Sequence, residues 1–133
     1  MSETPDRLTV GTERDIREFI AHYFATWSTG DVRGYGECFL PEAVIHFHRH
    51  PRLLRWELVD FLREQEQVIA AAPVPMVEVP LHSEVVILDS VAQVITRWRL
   101  TREGTSTEGT NFFTLADTGR GWRIVTLLFT YEA

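Results

Sequence analysis

The most conspicuous reactive stretch of the chain is HFHRH, which begins at His46. Three of the five histidines in the protein stand there on alternate positions, and alternate residues of a β-strand point to one face. Aligned imidazoles can bind a metal ion or exchange protons near neutral pH. Ile45 and Phe47 alternate with them, however, so these two apolar side chains should face the core. We therefore expect His46, His48 and His50 to point outward, towards solvent or a partner subunit.

A metal site needs more ligands than this row of histidines supplies. Sites of the cupin type add a carboxylate and a further histidine from other strands. Nothing in the sequence brings Glu42, His22 or His82 to the outer face, and Pro51 indicates that the strand ends at His50. We therefore predict that the chain has no metal site.

Three polar residues outside this stretch lie among apolar neighbours. Tyr23 falls on the apolar side of a helical pattern, where its hydroxyl either bonds to a backbone carbonyl or points at a ligand oxygen. Asn111 alternates with Gly109 and apolar residues, so its amide either bridges strands or enters a pocket. His82 is the strongest single candidate for acid–base chemistry, because imidazole titrates near pH ~6.5. The face of the strand to which the His82 side chain points depends on Pro80, which can introduce a bulge that resets the alternation.

Four aromatic residues would give a pocket an apolar lining: Trp27, Phe47, Trp98 and Phe113. The alternative is ordinary packing in the core, which some of them should provide. If several line a cavity, the ligand that fits best is an aromatic or polycyclic molecule.

The composition narrows the class of protein. A length of 133 residues suits one domain with a substantial core. The formal net charge of −6 argues against nucleic acid or an anionic membrane as the partner. The one cysteine, Cys38, excludes an internal disulfide, and no apolar run reaches the ~20 residues of a membrane span. The polar N-terminus shows no apolar signal segment, so we expect a cytoplasmic protein.

Hydrophobic periodicity predicts helices in the first half of the chain and mainly strands in the second. Apolar residues recur at helical spacing over residues 13–28, with Thr12 as the N-cap. Residues 1–11 should form a flexible arm, and residues 12–133 a single domain. The other predicted elements are a short helix from Asp31 to Phe39, a strand over 43–48, a helix over 55–72, and strands over 77–88, 91–102, 107–115 and 122–131. This order implies an α+β fold in which helices cover one face of a curved sheet.

The last strand carries apolar residues on both faces. Simple alternation puts Ile124 and Leu128 on one face and Val125, Leu127 and Phe129 on the other. A sheet that helices cover on one side needs a cover on its other side, and a second subunit is the simplest one. We therefore expect a homodimer; a strand buried on both faces within one chain is the alternative.

Three segments resemble the nuclear transport factor 2-like superfamily, and in particular its SnoaL-like group. They are HYFATWSTGD (22–31), FLPEAVIHF (39–47) and GTNFFTL…GWRIV (109–125), and the resemblance extends over residues 13–131. The group includes polyketide cyclases, ketosteroid isomerase and scytalone dehydratase. The resemblance implies a cystatin-like fold, in which a strongly curved, mostly antiparallel sheet carries three helices on its concave face around a cone-shaped pocket. It also implies a homodimer.

The resemblance also implies roles for single positions. Tyr23 matches the tyrosine in the oxyanion hole of ketosteroid isomerase, and Asn111 matches that enzyme's protonated aspartate. Scytalone dehydratase has an asparagine at the position of Asn111 and a catalytic histidine at the position of His82. Phe47 stands where the isomerase has its carboxylate base, and Trp98 stands where the dehydratase has a second histidine. Two catalytic positions of these relatives are therefore apolar in this chain.

Two functions follow as hypotheses. The first is an enzyme of the isomerase, dehydratase or cyclase type that acts on a hydrophobic, carbonyl-bearing molecule and needs no cofactor. Tyr23 and Asn111 would stabilise an enolate-like transition state, and His82 would move the proton. The second is a binding or accessory protein with an apolar pocket and no catalysis. The presence of Phe47 in place of a carboxylate favours this second hypothesis.

Overall fold

The structure, a computed structural model, describes the backbone of residues 5–132 and the side chains of residues 12–132. Within this range the chain forms three helices and six strands. The helices are α1 (Pro5–Ser28), α2 (Val32–Glu37) and α3 (Leu58–Ala71), and the strands are β1 (Phe39–Arg49), β2 (Arg52–Glu57), β3 (Val77–Leu88), β4 (Val91–Arg102), β5 (Thr105–Asp117) and β6 (Trp122–Tyr131).

Helix α1 buries the apolar face that its periodicity predicts, which includes Ile20 and Phe24. The helix begins at Pro5, so Thr12 lies within it rather than at its N-cap. The prediction started the helix too late because the residues before Thr12 carry little apolar periodicity. Residues 1–4 of the predicted arm, and the side chains of the rest of that arm, lie outside the described residues.

The six strands form one curled sheet in the order β2-β1-β6-β5-β4-β3. All neighbours pair antiparallel except β1 and β6, which run parallel. Helix α1 packs on β3 and helix α3 on β1 and β2, so the helices cover the concave face. The α+β prediction is therefore confirmed. As far as the described residues go, none of the helices combines the length and the hydrophobicity of a membrane span.

Strand β2 is the one strand that the sequence did not predict. The sequence predicts the third helix from Arg55 onward and no element over residues 52–54, because RLLRW offers no alternation. In the structure β2 folds back on β1, with Arg52 beside Arg49 and Trp56 beside Ile45. Pro51 lies in the turn between the two strands. Strand β2 is an edge strand, and most of its side chains are exposed, which explains the weak hydrophobic pattern.

Two β-bulges change which side chains face the helices. In β3, Pro80 pairs with Trp98 but His82 pairs with Arg97, so one extra residue lies between them. In β6, Ile124 pairs with Leu115, and the register then shifts at Val125. Each extra residue reverses the alternation beyond it. Ile124 therefore lies buried on the helix-covered side of the sheet, contrary to the prediction from simple alternation, which grouped it with Leu128.

Arg97 and Arg99 of β4 lie on the outer, convex side of the sheet, as the alternation with Trp98 predicts. Arg97 forms ion pairs with Glu108 and Glu132, each at 2.9 Å, and Arg99 pairs with Glu108 at 2.9 Å. These charges are neutralised within the chain, so they are not available as a cationic surface.

Candidate functional site

A cavity of about 300 Å³ lies between the helices and the concave face of the sheet. This volume is at the lower end of the ~300–1,000 Å³ range of small-molecule pockets. Eight of the 17 residues that line it are aromatic, and two of the rings, Trp56 and Phe129, are nearly parallel, with centroids 6.5 Å apart. The aromatic lining consists of Tyr23, Trp27, Tyr35, Phe47, Trp56, Phe61, Phe129 and Tyr131.

Two tyrosine hydroxyls form a buried pair in the wall of this cavity. The hydroxyl oxygens of Tyr23, on α1, and Tyr35, on α2, are 2.8 Å apart. The Tyr23 ring also packs edge-on against Phe113, with the centroids 5.2 Å apart. Burial raises the pKa of both phenols, so both stay neutral. One hydroxyl proton forms the bond between them, and the proton of the accepting hydroxyl remains available to a ligand oxygen.

The amide of Asn111 is oriented by a single buried hydrogen bond. The indole Nε1 of Trp98 donates to Asn111 Oδ1 at 2.9 Å. Since indole can only donate, Oδ1 must face Trp98 and the Nδ2 group must turn the other way. Asn111 lines the cavity, and none of the described residues accepts a hydrogen bond from its Nδ2. Asn111 therefore presents fixed N–H donors to the cavity.

Glu78 brings a carboxyl group into the same cavity from β3. Its backbone is fixed by Ser28 at the end of α1, whose hydroxyl accepts from the Glu78 N–H at 2.9 Å and donates to the Glu78 carbonyl at 3.0 Å. No described side chain forms a hydrogen bond or an ion pair with the carboxylate. Burial raises the pKa of Glu78 from 4.5 to about 8, so the carboxyl group titrates close to neutral pH.

The structure brings together only part of the predicted site. Tyr23 and Asn111 line the cavity, and so do Trp27 and Phe47 from the predicted lining. Trp27 is held there by a hydrogen bond from its Nε1 to Gln65 Oε1 at 2.9 Å.

His82, Trp98 and Phe113 lie outside the cavity. The bulge after Pro80 turns His82 to the outer side of β3, where it is exposed. Its predicted role as the proton carrier of this site is therefore not supported. Trp98 and Phe113 are fully buried in the core, Trp98 behind Asn111 and Phe113 behind Tyr23. They position polar groups of the cavity and do not line it.

The histidines of HFHRH face away from the cavity. Ile45 is buried and Phe47 lines the cavity, whereas His46 lies on the opposite side beside Leu128 of β6. His48 and the following His50 are exposed. Among the side chains that the structure describes, no three of the His, Cys, Asp and Glu residues come close enough to hold a metal ion.

Sequence reasoning missed Tyr35 and Glu78. The local sequence VRGYGE did contain a signal for Tyr35, because it is the only large apolar side chain on the short helix α2. Glu78 stands between Val77 and Val79, in a run that alternation alone assigns to the wrong face. A glutamate that enters the cavity from the start of a valine-rich strand is an inconsistency between pattern and fold, and such inconsistencies concentrate at functional sites.

The sequence matches the family described as "Putative lumazine-binding" over residues 11–130, which is nearly the whole chain. None of the curated proteins matches the sequence.

Solved structures share the fold at low sequence identity. A protein of unknown function from Mycobacterium tuberculosis has a TM-score of 0.81 and 15% identity, over 99% of this chain and 78% of the other. An NTF2-like protein of unknown function from Pseudomonas putida has a TM-score of 0.77 and 14% identity, over 92% and 87%. An NTF2-like protein with a cystatin-like fold from Novosphingobium aromaticivorans has a TM-score of 0.76 and 17% identity, over 95% and 86%. At these identities the likeness concerns the fold.

Proposed function

The chain belongs to the "Putative lumazine-binding" family of NTF2-like proteins, and we propose that it binds a flat, largely apolar small molecule through a carbonyl oxygen. One observation carries this proposal. The Asn111 amide, which Trp98 orients, presents N–H donors to a cavity whose walls are mostly aromatic and aliphatic. The tyrosine pair adds an O–H donor from another side. Donors fixed in an apolar cavity favour a ligand with an acceptor oxygen, because that oxygen satisfies them.

The family description supports a ligand of this class. Lumazine is a flat heteroaromatic molecule with ring carbonyl groups, so it has both features that the cavity selects. We therefore choose two probes for the test: lumazine, and acetonaphthone, a neutral bicyclic methyl ketone. They share the flat ring system and the carbonyl oxygen but differ in the polarity of the rings.

Blocking the cavity tests this proposal. Val68 lines the cavity from α3 and is 44% exposed, whereas Val59, on the same helix, is 64% exposed and does not line it. By isothermal titration calorimetry we expect Val68→Trp to weaken binding of at least one probe about tenfold or more, a loss of about 1.4 kcal/mol. The matched variant Val59→Trp should bind like the wild type. If neither probe binds, or if both variants bind equally well, the proposed function is wrong.

An enzyme is the second candidate, and Glu78 is the observation that favours it. Its carboxyl group has a pKa of about 8 and lies in the cavity, so it can take the role of proton carrier in place of His82, which lies outside the cavity. In an isomerase reaction, the Glu78 carboxylate would take a proton from the carbon beside a ketone. Asn111 would bind the enolate oxygen, and Glu78 would return the proton to the γ-carbon, which moves the double bond into conjugation.

The enzyme candidate predicts a rate that depends on Glu78. We expect slow conversion of a β,γ-unsaturated cyclohexenone to the conjugated enone, followed by ultraviolet absorbance. Glu78→Gln should lower this rate by about a hundredfold or more. His82→Gln, which changes an exposed side chain outside the cavity, is the control and should keep the wild-type rate. A wild-type rate equal to that of the buffer would reject this candidate and leave the binding function unaffected.

We further propose that the chain forms a homodimer through the outer face of the sheet. Phe112 and Ile95 are neighbours on this face, 42% and 37% exposed, and Leu128 lies beside Phe112. Adjacent apolar side chains of this kind are typical of a surface that a partner covers. We expect light scattering to give the mass of a dimer for the wild type and for Val59→Glu, and that of a monomer for Phe112→Glu. A monomeric wild type would contradict this proposal.

A further inference from the structure

Among the side chains of residues 12–132, the wall of the cavity contains acidic groups but no basic ones. The charged residues in this part of the lining are Glu78 and Glu64, and no arginine or histidine of the same range belongs to it. The chain has no lysine at all. A ligand with a negative charge would therefore meet no compensating cation inside the cavity, whereas a ligand with a positive charge would meet carboxylates.

The aromatic rings of the cavity also favour a positive charge. The face of an aromatic ring carries negative electrostatic potential and attracts ammonium groups. Several rings meet at one end of the cavity. Phe47 lies 5.0 Å from Phe129 and 5.4 Å from Tyr131 between centroids, and Trp56 lies nearly parallel to Phe129. Aromatic walls combined with a carboxylate form the kind of site that binds organic ammonium ions.

Glu78 is fixed in place, yet its carboxylate has no partner among the described residues. The two hydrogen bonds with Ser28 hold its backbone, and so they fix the point from which the side chain enters the cavity. No described side chain pairs with the carboxylate. A partly buried charge of this kind is stabilised by an opposite charge that enters the site.

We propose that the natural ligand also carries an amine nitrogen, which binds as an ammonium ion against the carboxylate of Glu78. This inference rests on the proposed binding function and specifies its ligand class, which is a flat molecule with an acceptor oxygen and a basic nitrogen. The oxygen is bound by the donors of Asn111 and the tyrosine pair, and the ammonium group by Glu78.

Binding of such a ligand depends on pH in a defined way. An ammonium ion binds the carboxylate form of Glu78, so binding to the protonated protein releases one proton. Affinity should therefore rise about tenfold per pH unit up to a pH of about 8 and then level off. Other titratable or charged groups around the cavity are Tyr23 on α1, Tyr35 on α2, Glu64 on α3, Tyr131 on β6, and Arg49 on β1, whose charge acts on Tyr131. Burial raises the pKa of all three phenols, so they remain neutral over this range.

Two isosteric probes test the inference by calorimetry: naphthylethylamine, which is an ammonium ion near neutral pH, and naphthylethanol, which is neutral. At about pH 8 the wild type should bind the amine about tenfold more tightly than the alcohol. Glu78→Gln should remove this preference. Glu84→Gln, which removes an exposed carboxylate from the outer side of the same strand, should keep it. Titrations in buffers of different ionisation enthalpy should show proton release below pH ~8.

The possible outcomes separate this inference from the function on which it rests. Equal affinity for the amine and the alcohol in the wild type, or a preference that survives in Glu78→Gln, overturns the inference. If, in that case, acetonaphthone still binds the wild type and not Val68→Trp, the proposed binding function stands and only the inference about the ammonium group fails. If the amine, the alcohol, acetonaphthone and lumazine all fail to bind, both proposals fail.

Discussion

Replacing Glu78 by glutamine is expected to make the protein more stable than the wild type at alkaline pH. The wild-type pKa rises from 4.5 to about 8 on folding, because burial penalises the carboxylate. Between these values the folded state holds a proton that the unfolded chain has released, so the free energy of unfolding falls as the pH rises. The full shift corresponds to at most about 5 kcal/mol. Since Glu78 is only partly buried, we expect the free energy of unfolding of the wild type to fall by about 3 kcal/mol over this pH range.

Urea unfolding at several pH values measures this effect. The difference in unfolding free energy between Glu78→Gln and the wild type should grow from pH ~4.5 to pH ~8 and stay constant above it. The control Glu84→Gln removes an exposed carboxylate from the same strand and should follow the wild-type curve. If the difference in unfolding free energy between Glu78→Gln and the wild type does not change with pH, burial does not penalise the ionised form of Glu78. Its carboxyl group then does not lie in an apolar cavity.

The variant Gly109→Ala is expected to destabilise the protein by about 3 kcal/mol, because the new methyl group has no space. A Cβ atom at this position would overlap the indole ring of Trp98 and the backbone carbonyl of Thr130. Both contacts must give way, so the indole has to move and the backbone at Thr130 has to shift, which is costly in the centre of the sheet. Thermal unfolding should show a decrease in Tm of about 10 °C.

The same variant should weaken ligand binding, because the indole that it displaces orients Asn111. Gly104→Ala is the comparison. Gly104 has a positive φ of 80°, but nothing lies within 4 Å of the position that a methyl group would take there, so that variant carries only backbone strain of about 1 kcal/mol. It should leave binding unchanged. Equal losses of stability in the two variants would show that contact with Trp98 is not what requires glycine at position 109.

The sequence predicted the elements whose signals are local. The apolar face of α1, the cap of α2 at Asp31 and the alternation of β4 each depend on residues within one element. The Asp31 carboxylate accepts from the Gly34 N–H at 2.9 Å, and Val94 and Trp98 are buried as the alternation requires. The fold class followed from the order of such elements, so it could be predicted without tertiary information.

The site was predicted only in part, because two features of β3 depend on tertiary structure. One is its β-bulge, and the other is that its valines are exposed while its glutamate faces the cavity. Pro80 signals that β3 can take up an extra residue, but the sequence does not decide whether it does, and this residue alone turns His82 outward. On the same strand, Val77 and Val79 are 47% and 40% exposed while Glu78 faces the cavity. Hydrophobic alternation therefore favoured the wrong face, since β3 is an edge strand whose inner side borders a cavity.

A crystal structure of the protein with acetonaphthone is the most direct test of the central claim, that the aromatic cavity binds a carbonyl-bearing small molecule. The structure should show the naphthyl ring between the aromatic walls near Trp56. The ketone oxygen should lie within ~3.2 Å of Asn111 Nδ2 or of a hydroxyl of the Tyr23–Tyr35 pair. An empty cavity at saturating ligand concentration, or a ketone oxygen that contacts none of these donors, would contradict the account.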